Sequence, residues 1–108
     1  VLKEDFKLIS GHLSKWDKTL DSGATKTMHT CTNCNMRIYN ISTDNDYLYR
    51  VVAGTLDNVT EIIPDIHLWT ARKLPWLTIP ADAAQFEFEP DGETMLKAVE
   101  SAQKNISL

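Results

Sequence analysis

The sequence predicts a mainly β fold that ends in one helix. Three stretches carry the β reading. Thr25–Thr30 and Met36–Ile41 alternate apolar with polar residues, and Tyr47–Ala53 is dense in aromatic and β-branched side chains. Only the tail shows the longer period. Met95, Val99, Ala102 and Ile106 recur at spacings of four, three and four, which is one face of a helix.

Taken in order, Phe6–Ile9 reads as a short strand closed by Ser10-Gly11, and Leu13–Thr19 as a second anchored by Trp16. Leu20–Gly23 is a turn by composition. Thr25–Thr30 and Met36–Ile41 are strands on either side of Cys31-Thr32-Asn33-Cys34, and Ser42–Asp46 is a polar loop. Tyr47–Ala53 is the strongest strand signal, broken by Gly54 and then Asp57-Asn58. Ile66–Thr70 alternates and predicts a strand. Pro75 and Pro80 bracket Trp76–Ile79 and favour an extended edge over a helix. Gln85–Glu89 alternates Phe86 and Phe88 with polar residues. The helix is expected over 91–107. Asp91 is placed to cap it, because a short carboxylate accepts from the unpaired amides of the first turn.

A chain of 108 residues predicts a single domain over 1–108, large enough for one core. Apolar residues make up 43% and charged residues 24%, which fits a globular rather than a disordered chain. Eleven basic against fifteen acidic side chains give a net charge of −4, so no duplex nucleic-acid partner is expected. No apolar run is long enough to span a bilayer and no leader pattern opens the sequence, so no membrane partner is expected either. The opening Val suggests a chain that is processed, trimmed or a fragment.

Two cysteines cannot build a disulfide scaffold. The C-x-x-C spacing of Cys31 and Cys34 has three chemical readings: half of a four-sulfur zinc site, a redox dithiol, or a local disulfide. Redox dithiols usually open a helix after a strand. Here the pair lies between two predicted strands, a zinc-knuckle setting, so zinc is the expected cofactor with Cys31 and Cys34 as its ligands. They supply two of four donors.

The order of motifs resembles a known family. Phe6-Lys7-Leu8-Ile9-Ser10-Gly11 is similar to an F-x-L-x-x-G segment of the glutathione-dependent formaldehyde-activating enzymes, grouped with centromere protein V. Ser22-Gly23, the cysteine pair, Val52-Ala53-Gly54-Thr55-Leu56-Asp57, Pro64, His67-Leu68-Trp69 and Lys73-Leu74-Pro75-Trp76-Leu77 follow in the family's order. The resemblance spans roughly residues 6 to 88. It implies an Mss4-like fold of bent antiparallel sheets pinned by zinc. It implies carbon–sulfur lyase chemistry on the adduct of glutathione with formaldehyde or another small carbonyl. It also implies two zinc sites. The structural one takes an early C-x-C and the later C-x-x-C, and the one tied to catalysis takes a C-x-C-x-x-C run between them.

Only Cys31 and Cys34 match, at the later pair of the structural site. The earlier cysteine motifs do not occur in the 108 residues, so the chain resembles the later part of the family domain. Catalytic and substrate-binding residues therefore stay unassigned, and whether the chain is an enzyme is left open. Asn35 stands where the family usually has Gly, and Asn tolerates the left-handed backbone such a turn needs. Two functions are weighed. One is a lyase-family protein acting on glutathione–carbonyl adducts, with activity of these residues alone in doubt. The other is a non-enzymatic zinc-stabilised module that dimerises, two chains sharing one metal. The dithiol is a third option. The family implies a cytoplasmic location.

Other candidates are read conservatively. His29, two residues before Cys31, reads as an exposed strand histidine before it reads as a third ligand. His67 is expected to pack in a sheet beside Trp69 rather than line a pocket, and His12 to lie on the surface. Trp16, Trp69 and Trp76 read as packing rather than a ligand-stacking wall. Arg72 and Lys73 read as a solvated rim rather than a grip on an anionic tripeptide. Sequons at Asn40, Asn58 and Asn105 are read as chance, given the intracellular family.

Overall fold

A computed structural model describes residues 1–104. The chain divides into two compact units, one over Val1–Ile62 and one that begins at Ile63. It is mainly β, with an antiparallel four-stranded sheet in the first unit and a small parallel sheet with one helix in the second. The described residues form no barrel.

In the first unit, β1 (Leu13–Thr19), β2 (Thr25–Cys31), β3 (Arg37–Ser42) and β4 (Arg50–Val51) lie side by side in chain order. The β1–β2 turn closes on Gly23, whose φ of 88° only glycine takes at no cost. The register sets Trp16 opposite Met28, Lys15 opposite His29 and Leu13 opposite Cys31. Side chains alternate across a strand, so Cys31, His29 and Thr27 share one face. There the Thr27 hydroxyl donates to Asp17 at 2.7 Å. On the other face the Arg37 guanidinium covers Trp16 at 5.5 Å.

Between β2 and β3 the ladder slips. His29 pairs with Tyr39, but Thr30 pairs with Arg37, which leaves Ile38 as an extra residue. The Ile38 carbonyl accepts instead from the Val52 amide at 2.9 Å. Met28, Tyr39 and Leu48 are the buried apolar side chains of this unit.

Phe6–Ile9 forms no strand. The N-terminal pairing is taken earlier: Leu2 bridges Leu48, and the Tyr49 amide donates to the Val1 carbonyl at 2.9 Å. Phe6 instead packs its ring against Tyr39 and Tyr49, at 4.6 and 5.0 Å, while Leu8 and Ile9 stay exposed. Tyr47–Ala53 shortens to Arg50–Val51 for the same reason. The Leu48 and Tyr49 amides bond to Asn45 and Val1, and a 3-10 turn starts at Ala53.

In the second unit, β5 (Ile66–His67) pairs with β6 (Ala84–Gln85) in parallel, not in the antiparallel manner expected. The Ile66–Thr70 strand ends early because Trp69 turns the chain with φ 57° into a 3-10 turn over Thr70–Arg72. The Gln85–Glu89 strand is likewise cut short, and its aromatic residues follow β6 rather than extend it. Trp76–Ile79 pairs with no strand, and Trp76 is 75% exposed. Helix α1 (Gly92–Lys104) packs on β5 and buries Met95. The Thr94 amide donates to Asp91 at 2.7 Å, the cap that was expected. Ile106, Asn105 and the expected helix end at 107 lie outside the described residues. No helix among the described residues is long and apolar enough to cross a membrane.

Candidate functional site

Cys31 is the last residue of β2, and the chain then turns back towards β3. The Asn35 amide donates to the Cys31 carbonyl at 2.9 Å, and the Cys31 amide to the Met36 carbonyl at 2.8 Å. These bonds close a loop whose fifth residue must turn left-handed. Asn35 does so with φ 62°, as the family departure at this position required. The Thr32 hydroxyl ties the turn to the His12 carbonyl at 3.2 Å.

Inside the turn the backbone serves the sulfur. The Asn33 amide points at Cys31 Sγ at 3.4 Å. Hydrogen bonds from the Cys34 amide first, then from the Asn33 amide and the Cys34 thiol, hold the Cys31 thiol below its ordinary range. Both cysteines are free, Cys31 half-buried and Cys34 exposed. Two sulfurs on one short turn, with amides aimed at one of them, suit a soft divalent metal.

His29 shares the Cys31 face but is not the exposed histidine expected. It is 5% exposed, because its ring lies against Tyr39 on β3. Burial first, then the Lys15 ammonium on β1, pushes its pKa down. Among the described residues, no group of three or more His, Cys, Asp or Glu side chains could hold a metal ion. Cys31 and Cys34 share one turn, and the described residues bring no third such donor beside them.

The aromatic row that braces this face was missed in the sequence. His29 and Tyr49 each stack on Tyr39, Tyr49 at 5.5 Å, and Phe6 meets Tyr39 and Tyr49 at a tilt. Its one legible signal was the aromatic density of Tyr39 and Tyr47–Tyr49.

The remaining candidates scatter. His12 is exposed, as expected. His67 is half-buried in β5, with Nε2 buried and unpartnered. The three tryptophans are not packed core: Trp16 and Trp69 are 42% and 43% exposed, and Trp76 more so. Trp16 lies under Arg37, and Trp69 meets Phe88 edge-on at 5.4 Å with Arg72 above it at 5.3 Å. Lys73 donates to the Leu77 carbonyl at 3.3 Å. Of the sequons, Asn40 has its side-chain oxygen buried in β3, and Asn58 is exposed.

A model of the glutathione-dependent formaldehyde-activating enzyme family matches residues 1–72. The chain belongs to that family. The match takes in the whole four-stranded sheet, the cysteine turn and the Val52–Asp57 and His67–Trp69 motifs. It stops short of Lys73–Leu77, so the family assignment does not rest on that string. No curated protein and no solved structure matches the chain.

Proposed function

We propose that this member of the formaldehyde-activating family serves chemistry on glutathione adducts of formaldehyde or another small carbonyl. In this reading Cys31 and Cys34 are two ligands of a structural zinc. The observation that carries it is the family match across residues 1–72, which includes both cysteines. The local geometry supports the ligand role. The turn amides are spent on Cys31 sulfur, and the stacked His29–Tyr39 pair fixes the strand that presents it. Bound zinc would cross-link the turn. A closed four-sulfur zinc has no open position for a carbonyl oxygen, so these residues alone leave the adduct reaction at its uncatalysed rate. Free thiols suit the cytoplasm, where they stay reduced.

The test combines metal analysis with NMR. The reduced chain should bind zinc, and Cys34→Ser should not. S-hydroxymethylglutathione should shift amide resonances of the zinc-loaded chain, and exchange between free and thiol-bound formaldehyde should keep its buffer rate. Zinc-dependent acceleration that Cys34→Ser abolishes would place the chemistry at this turn and overturn the structural role. No amide shifts with the adduct would remove the substrate assignment.

A further inference from the structure

We infer that Arg72, laid on the Trp69 ring, is the fork that takes the glycyl carboxylate of the glutathione part of the adduct. The inference rests on the glutathione reading above and names a residue that binds that substrate. Its starting point is a strained residue. Trp69 holds φ 57°. Bulky residues in the left-handed region are costly, and such outliers gather at ligand clamps. Here the strain has a visible product. Thr70–Arg72 forms one 3-10 turn, closed by the Arg72 amide donating to the Trp69 carbonyl at 3.0 Å. Residues three apart eclipse in such a turn, and the Arg72 guanidinium comes to lie 5.3 Å above the Trp69 ring. The turn is anchored on the facing segment. Thr70 donates to the Phe86 carbonyl from its amide at 3.1 Å and its hydroxyl at 3.2 Å, and Phe88 closes on the indole edge-on.

What the guanidinium lacks is an acid. The sequence holds fifteen acidic side chains, yet among the described residues the one ion pair is Lys97 with Glu93. Arg72, Trp69 and Phe88 are all exposed, so a ligand reaches the fork from solvent. A planar guanidinium held on a ring matches a carboxylate through two parallel hydrogen bonds and loses little freedom in making them. Lys73 is not a second fork, because its ammonium donates to the Leu77 carbonyl at 3.3 Å. Of the two carboxylates of glutathione, the glycyl one stands alone, while the γ-glutamyl one sits beside its own ammonium. An unpaired cation favours the first. Glu87 and Glu89, exposed on either side of Phe88, oppose a polyanion and accept a ligand that also carries an ammonium.

The experiment is an NMR titration of the zinc-treated 108-residue chain with S-methylglutathione, a stable stand-in for the adduct. The Trp69 indole N–H and the Arg72 side-chain N–H should shift together and saturate. The Trp16 indole, which lies under Arg37 without a strained turn, is the control and should stay in place. Arg72→Gln, at an exposed position, should keep its circular dichroism and weaken binding about tenfold, the loss of one charge-assisted pair. Arg72→Lys keeps the charge without the fork and should weaken binding nearly as much. The glycyl methyl ester of S-methylglutathione should bind the parent about tenfold more weakly than the free acid. It should bind Arg72→Gln no worse than the free acid does, since the two changes remove the same contact. Losses that multiply would overturn the contact, and so would parent-like affinity of Arg72→Lys or an equal shift at Trp16. Saturable binding that ignores Arg72→Gln would overturn this site and leave the glutathione reading standing. No shifts in the parent would overturn both.

Discussion

The His29 imidazole lies flat on the Tyr39 ring, with centroids 4.1 Å apart and planes 9° apart. The two are cross-strand partners at the last regular rung before the β2–β3 bulge. The stack therefore fixes the strand direction just where β2 delivers Cys31. It continues through Tyr49 and is closed by Phe6, so one buried ring ties together four segments.

Truncating that ring should be costly. Tyr39 is 8% exposed and touches three other rings. Tyr39→Ala should lower stability by about 3–5 kcal/mol, the usual cost of removing a buried aromatic. Tyr39→Phe keeps the ring and should cost less than about 1.5 kcal/mol. Urea midpoints at constant slope measure both. A mild Tyr39→Ala effect would mean that the row is not a core.

The cysteine turn makes its own demand. Asn35 holds φ 62°, where a β-branched side chain is strained. Asn35→Val should destabilise by about 1–2 kcal/mol, and Asn35→Gly should be neutral or slightly stabilising. Proton exchange of the Cys31 and Asn35 amides, which close the turn, should quicken in the Val variant alone. Equal behaviour of the two variants would show that the turn does not need the left-handed residue.

These two sites differ in how far the sequence disclosed them. The turn was legible because its determinants are local: a C-x-x-C, an Asn after it, and alternating residues on both sides. Strands β2 and β3 were legible from the alternation on either side of the cysteine pair, and β1 from a short run anchored by Trp16. Tyr47–Ala53 was legible only in its Arg50–Val51 part, since Leu48 and Tyr49 take their backbone partners from Leu2 and Val1, nearly fifty residues away. The burial of His29 was hidden too, because it depends on a ring ten residues along the chain and on another strand. In the second unit, the left-handed Trp69 cut a strand that periodicity alone extended.

Trp69 also invites a direct measurement. A bulky residue at φ 57° is unusual and persists only where its surroundings hold it. Phe88 meets its ring edge-on at 88° and 5.4 Å. A double-mutant cycle with Trp69→Leu and Phe88→Leu should give a coupling of about 0.5–1.5 kcal/mol. Phe88→Leu should also shift the tryptophan fluorescence. Zero coupling would leave the Trp69 backbone without side-chain support from Phe88.

The capped helix predicts a pH dependence with a definite sign. The Asp91 carboxyl lies below its ordinary range, chiefly because the Thr94 amide donates to it, with the Thr94 side chain, the Glu93 amide and Lys97 adding smaller effects. The folded form thus prefers the carboxylate more than the unfolded chain does. Its stabilisation is complete above the unfolded carboxyl's pKa and is lost as pH falls through that value towards the folded one. Helix α1 should therefore keep its circular dichroism at neutral pH and weaken below about pH 4. Asp91→Asn isolates the cause. Asn caps a helix about as well as Asp but does not titrate, so the variant should match the parent at neutral pH and lack its acid-induced step. The exposed Glu93–Lys97 pair at 3.1 Å is present in both proteins and cancels in the difference. An acid step unchanged in Asp91→Asn would assign the loss to another carboxylate.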